Sequence, residues 1–266
     1  MSDPPALREW DSEAYHRLSR PQFDWGMKVL NRLRLRGDET VLDAGCGTGK
    51  LTAELLTRLP KGRVVALDLS HNMLRLAGDH LAPQFPLQVS LVEADVQALP
   101  FAEVFDGVLS TATFHWATDH ERLFRSLHRA LKPSGWLLAQ CGGGPNLAAV
   151  RERARTIASC PEFREFFAGW TEPWVYADDA TTAQRLRRAG FVEVEANLEH
   201  SPAVLSDAEE YKEYLATVTL HPHMARITDD RLRGRFLEEL ARRGAQDDPP
   251  FVMDYWRLNV SARRPA

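Results

Sequence analysis

One stretch limits this chain more than any other: "VLDAGCGTGK", Val41 to Lys50, in which an apolar run ends in an acid and then in glycines at every second position. An apolar run leading into closely spaced glycines reads as a strand, a tight turn and a helix start, the arrangement that holds nucleotides in open α/β folds. Which nucleotide depends on register. A phosphate-binding P-loop requires GxxxxGK followed by Ser or Thr; Gly45 stands one position too close to Gly49, and Leu51 takes the place of the hydroxyl. The dinucleotide pattern GxGxxG begins well at Gly45 and Gly47, but its third glycine falls on Lys50, with Gly49 one residue early.

Three acids narrow the choice. Asp43, two residues ahead of the first glycine, would repel a pyrophosphate and attract an ammonium group. Asp68 ends the next apolar run, "RVVALDL", where a carboxylate can accept from both hydroxyls of a ribose. In "EADV", Asp95 is placed to accept from an exocyclic adenine amine and the Val96 N–H to donate to a ring nitrogen. Ammonium, free ribose, adenine and no phosphate describe S-adenosylmethionine.

The surrounding chain predicts a mainly parallel sheet. Strands are expected at Thr40–Gly45, Arg63–Leu69, Leu87–Asp95, Asp106–Ala112 and Gly135–Cys141, alternating with amphipathic helices. Ser70 is expected to cap a helix carrying Met73, Leu74, Ala77 and Leu81; Asp119 another carrying Leu123, Phe124, Leu127 and Leu131, ended by "KPSG" at Lys132 to Gly135. A sixth strand is expected over Phe191–His200 and a seventh over Phe251–Arg264. The intervening stretch, with helical patterns at Tyr211–Val218 and around Leu232, Phe236, Leu237 and Leu240, is too long for a simple crossover. It is expected to cover the carboxyl edge of the sheet as a helical lid.

Composition excludes several classes. The 266 residues are 44% hydrophobic and 26% charged, the values of an ordinary globular chain without a membrane span. A net charge of -4 with interspersed signs offers no basic stripe for nucleic acid. "MSDPPALREW" lacks a basic end followed by an apolar run, so a cytoplasmic address is expected. Cys46, Cys141 and Cys160 form no metal or disulfide pattern and are expected to be small buried side chains. "HPH", His221 to His223, has too few ligands for a metal site and reads as a turn of the lid.

"VLDAGCGTG", "ALDLSHNML" and "EADVQALPF" together resemble the first three motifs of the class I S-adenosylmethionine-dependent methyltransferases, in order and spacing across about sixty residues. The resemblance implies a Rossmann-like α/β fold, a seven-stranded, mainly parallel sheet whose last strand is antiparallel, with the lid between strands six and seven. It implies one domain over residues 1–266: an N-terminal helical flap at 1–36, the cofactor core at 37–145 and the lid insertion at 201–250. It puts Asp43, Gly45 and Gly47 at the methionine end, Asp68 and Leu69 at the ribose, and Met73, Asp95 and Val96 around the adenine. Tyr15 and Thr111 complete the expected cofactor contacts. "STATFHW", the segment with Trp10 and Tyr15, and the late insertion are most similar to the trans-aconitate methyltransferase group.

Methyl transfer from a sulfonium asks the protein mainly to align the acceptor and exclude water. His115 is the expected catalytic residue, a base for a phenol or amine acceptor and an orienting donor for a carboxylate. Trp10, Trp116 and Arg226 are expected to touch a small-molecule acceptor, with Arg17 and Arg20 as further carboxylate clamps. His115 and Trp116 as a packed loop, and Trp10 and Tyr15 as a helix packed on the sheet, are the plainer alternatives. For the whole chain, the reading is transfer to a carboxylate of a small acid; the alternatives are O- or N-methylation of a phenol or amine, a S-adenosylmethionine-binding protein without catalysis, and a nicotinamide-dependent reductase, which Lys50 and Asp43 disfavour. Oligomeric state is left open.

Overall fold

In the first strand Val41 and Leu42 are both buried although consecutive strand residues face opposite ways, so both faces of the sheet are covered. The computed structural model of the protein describes residues 9–266. Its strands are β1 (Thr40–Ala44), β2 (Arg63–Asp68), β3 (Val89–Glu93), β4 (Phe105–Thr111), β5 (Leu131–Gly142), β6 (Val192–His200), β7 (Ala203–Val204), β8 (Val252–Met253) and β9 (Trp256–Arg263). Seven of them form one sheet in the order β3-β2-β1-β4-β5-β9-β6. Strands β1 to β5 pair in parallel, and β9 enters antiparallel between β5 and β6.

The helices are α1 (Ser12–Leu18), α2 (Arg20–Leu30), α3 (Lys50–Thr57), α4 (His71–Leu81), α5 (His120–Ala130), α6 (Ala148–Ala158), α7 (Asp179–Arg188), α8 (Ala208–Tyr214), α9 (His221–Arg226) and α10 (Asp230–Gly244). Val41, Leu109 and Leu138 pack on Leu30, Leu55, Leu56 and Leu81 from α2, α3 and α4. Their neighbours Leu42, Val108 and Leu137 pack on the opposite face against Phe124, Leu127 and Leu186 from α5 and α7. Side-chain caps fix where the helices begin: the Met73 N–H donates to Ser70 Oγ at 3.2 Å and the Arg122 N–H to Asp119 Oδ1 at 2.9 Å.

Several boundaries differ from the sequence expectation. Helix α5 stops at Ala130 and β5 begins at once, because "KPSG" is an irregularity inside the strand: Ser134 adopts a φ of 63° and the pairing with β4 shifts register between Phe105 and Gly107. Lys132 pairs with Asp106 at 3.0 Å there. The expected third strand is shorter, Val89–Glu93. The expected seventh strand divides, since β8 pairs with β7 to close the base of the insertion and only β9 joins the sheet. Cys46 and Cys141 are buried, but Cys160, just past α6, is exposed.

A second core lies apart from the two sheet faces. Phe236, Leu240 and Ala241 of α10, with Tyr211 and Tyr214 of α8, pack on Leu147, Val150, Ala154 and Ile157 along α6, and on Phe163, Trp174, Trp25 and Tyr255. The insertion therefore shares its apolar interior with residues 147–174 and the N-terminal helices. Helix α8 runs on into a π-helical turn, Leu215–Thr219, closed by the Leu220 N–H donating to Leu215 O at 2.7 Å. Among the described residues no helix is long and apolar enough to cross a membrane.

Candidate active site

Two contiguous cavities open at the carboxyl ends of the parallel strands. The larger, about 260 Å³, is lined by the turn after β1, the end of β2, the segment after β3, the end of β4 and the N-terminal residues Trp10 and Tyr15. All of the residues assigned to the cofactor line it except Asp43: Tyr15, Gly45, Gly47, Asp68, Leu69, Met73, Asp95, Val96 and Thr111. Gly45 (φ 85°) lets the backbone turn directly against Thr113, whose Oγ1 would stand 2.0 Å from a Cβ there. Among the described residues no atom lies within 4 Å of a Cβ position at Gly47 (φ 53°), leaving the cavity floor bare backbone.

Asp68 Oδ2 accepts the Gly47 N–H at 2.9 Å and Oδ1 the Ser70 N–H at 2.9 Å. Burial pushes its pKa up and these N–H groups oppose the shift. A carboxylate has about four acceptor sites, so these bonds leave it capacity to accept from a ligand in the cavity it lines. Asp95 accepts the Gln97 N–H at 2.8 Å and is held by the Gln97 amide as well, while Gln97 Oε1 receives the Asp119 N–H at 2.8 Å. Gln97 thus ties the third strand's acid to the start of α5, a role with no sequence signal ahead of the fold.

Asp43 is a correction. Its side chain lies under the glycine turn, accepting from Thr52 Oγ1 of α3 at 2.7 Å, and does not line the cavity. Burial pushes its pKa up to about 6. Its position at the end of β1 is as expected, but the alternation of the strand turns the carboxylate toward α3 rather than outward.

The smaller cavity, about 40 Å³, adjoins the first and shares Trp10, Tyr15, Ala112 and Trp116 with it. Its own lining comes from the whole length of the chain, including Gln22, His115, Asn146, Tyr176, Thr219, Tyr255 and Arg257. His115 sits in a tight turn after β4, where Nδ1 accepts the Gly142 N–H at 3.3 Å and the ring stacks on Tyr176 with centroids 5.5 Å apart. Burial, with the Arg257 charge behind it, holds its pKa well below the ordinary imidazole value, so the ring is neutral with its proton on Nε2. Trp116 meets Trp10 at 5.4 Å and Trp174 at 5.6 Å, and Trp10 packs on His221 at 3.9 Å.

The three surface arginines named from sequence do not enter either cavity. Arg226 Nε donates to Phe166 O at 3.0 Å, securing the insertion to the segment after α6. Arg17 pairs with Glu213, and Arg20 stands 3.8 Å from Asp24. His221 and His223 lie on α9, and burial lowers His223 to about 4.

Residues 42–139 match the model of a methyltransferase domain. Across 86% of the chain, the sequence is 29% identical to a trans-aconitate 2-methyltransferase of Deinococcus radiodurans, covering 87% of that protein. A trans-aconitate 2-methyltransferase of Azoarcus sp. is 36% identical over 49% of the chain and 50% of its own length. In fold, the chain superposes with a TM-score of 0.63 on phosphoethanolamine N-methyltransferase 2 of Haemonchus contortus, at 17% identity, over 96% of this chain and 57% of the other. The matched domain and the similarity along most of the chain support a class I S-adenosylmethionine-dependent methyltransferase, and the superposition supports its fold.

Proposed function

We propose that the acceptor is a small acid and that the methyl group goes to one of its carboxylate oxygens. The observation that carries this is the state of His115: buried, neutral, and with Nδ1 already engaged by the Gly142 N–H. Among the described residues lining the smaller cavity there is no Asp or Glu, and burial raises the Tyr15, Tyr176 and Tyr255 phenols. Nothing there suits the removal of a proton near pH 7, and an ionised carboxylate needs none removed. The similarity to trans-aconitate 2-methyltransferases over most of the chain agrees with this reading.

The fit of the larger cavity to the cofactor rests on Gly47 and Asp68. The open space at Gly47 admits a ligand against the backbone, and the Asp68 carboxylate, held by the Gly47 and Ser70 N–H groups, lines the cavity where ribose hydroxyls could donate to it. Asp95, fixed by Gln97, with Val96 and Met73 surrounds the position of the adenine. The bound cofactor supplies a methyl group on a cationic sulfur that departs as a neutral thioether. Trp10, Tyr15 and Trp116, which wall both cavities, exclude water and offer ring faces to positive charge. His115, with its proton on Nε2, orients the acceptor as a donor.

A panel of small acids, phenols and amines assayed with labelled S-adenosylmethionine tests the reading. A carboxylate is expected to turn over, at a saturated rate nearly flat from about pH 6.5 to 8.5 and largely retained in His115→Asn. An ascending limb that His115→Asn abolishes, with a loss of roughly 10²–10⁴ in rate, would assign the acceptor to the phenols or amines instead.

A further inference from the structure

Arg257 is 3% exposed, the second residue of β9, opposite Gly142 of β5, and lines the smaller cavity. A buried guanidinium is ordinarily matched by a carboxylate, because an isolated charge in a protein interior is expensive. Here, among the described residues, no Asp or Glu lies within ion-pair distance of it. Its polar contact is a long one, Nε to Gln140 Oε1 at 3.5 Å, and the Gln140 amide is itself committed to Asn259 at 2.7 Å. Its cross-strand neighbour on β6, Glu199, is exposed and accepts from Asn259 Nδ2 at 3.1 Å instead. The guanidinium lies over the rings of Trp25 at 4.6 Å and Tyr255 at 5.9 Å, and the phenols of Tyr176 and Tyr214 and the thiol of Cys141 stand near it. Burial raises those phenols and the thiol, so none of them serves as its anion.

Among the described residues, two more polar groups on the same cavity wall lack partners. Thr219, 8% exposed on the π-helical turn, has a buried hydroxyl with no hydrogen bond, and the buried Gln22 Oε1 has none either. An unpaired cation, a free hydroxyl and a free amide oxygen that converge on one small cavity form the complement of an anion that also carries a donor.

We infer that Arg257 is the anchor of the acceptor, binding through its guanidinium a carboxylate that is not the one methylated, with Thr219 and Gln22 completing the subsite. The acceptor is therefore a polycarboxylic acid, or an acid with a second anionic group, seated by its non-reacting end. This rests on the carboxylate reading of the function. The planar fork of the guanidinium matches a carboxylate with two parallel hydrogen bonds, and the aromatic floor keeps the fork in place.

The full chain saturated with S-adenosylhomocysteine, with trans-aconitate as probe, provides the test. Trans-aconitate is expected to raise the melting temperature of the wild-type complex and not that of Arg257→Met, and KM for trans-aconitate in turnover should rise roughly 30-fold or more, with kcat less affected. The ligand-free Arg257→Met protein should melt no lower than wild type, since an uncompensated buried charge has been removed; a purely structural arginine would give the opposite. Arg257→Lys, which keeps the charge and most of the stem, is expected to give a KM between the two and serves if the methionine variant does not fold. Wild-type KM and thermal protection in either folded variant overturn the inference. So does a loss confined to S-adenosylhomocysteine affinity, which would make the cofactor's own carboxylate the partner of Arg257. If the acceptor panel yields only phenol or amine products, the functional reading fails by itself; carboxylate turnover indifferent to Arg257 removes the anchor alone.

Discussion

The two cavities are built in opposite ways. Apart from Trp10 and Tyr15, the larger is assembled from strand ends and the short segments that follow them, so that Gly45, Gly47, Asp68, Asp95 and Thr111 reach it through nearby backbone and local hydrogen bonds. The smaller draws Gln22, His115, Asn146, Tyr176, Thr219 and Arg257 from helices, turns and the last strand, held together by a second core. A site made of local turns inherits the rigidity of the sheet, whereas one made of distant segments depends on the packing that brings them together.

The widest separation between the two regions should come from Phe236→Ala. Phe236 is fully buried in the second core, and its loss is expected to cost about 3–5 kcal/mol there. In a urea titration, acceptor turnover should disappear at lower denaturant than S-adenosylhomocysteine binding. Simultaneous loss of both would show one cooperative unit and erase the contrast.

Asp68→Ala addresses the other side. Removing a charged acceptor held by Gly47 and Ser70 is expected to weaken S-adenosylhomocysteine by about 1.5–3 kcal/mol, roughly 10- to 150-fold in Kd by calorimetry, with the fold and the second core intact. Unchanged affinity would remove Asp68 from the site.

The smallest effect on affinity is expected at Asp43. As it makes no part of the cavity wall, Asp43→Asn should alter the Kd for S-adenosylhomocysteine less than about threefold. Its signature lies in stability instead. With the folded pKa raised to about 6 from an ordinary 3.8, the folded state binds the proton more tightly than the unfolded chain. That contribution is fully present below the ordinary value and is lost as pH rises through about 6. Wild type should therefore lose stability relative to Asp43→Asn between about pH 4 and 7. A pH-independent difference in melting temperature would mean that the carboxylate is not buried as described.

What could be read from the sequence follows the same division. The positions of the core strands and helices and the cofactor-side turns were legible because each signal, such as Ser70 ahead of a helical repeat or Asp68 at the end of an apolar run, lies within a few residues of its effect. Asp43 was misplaced by one turn of reasoning: its position along β1 could be read, but not which side of the strand the carboxylate would face once Thr52 of α3 offered it a hydroxyl. Arg226 drew attention because it stands in the insertion, yet its guanidinium secures Phe166, and Arg257 gave no local sign at all. In "DYWRLNV" it looks like any charged residue of an alternating strand. Only the pairing of β9 beside Gly142 turns it toward the cavity.

The position of β9 also bears on the order in which the chain can be completed as it is synthesised. Strands β1 to β5 can zip together once residue 142 has emerged, since each pairs with a neighbour made before or soon after it. Strand β6 is different: among the described residues its sole partner in the sheet is β9, made more than fifty residues later. Until Trp256–Arg263 leaves the ribosome, β6 has no place to dock, and the keystone that admits it to the sheet is the same segment that delivers Arg257. The nascent chain thus gains its last structural strand and its buried cation in a single event.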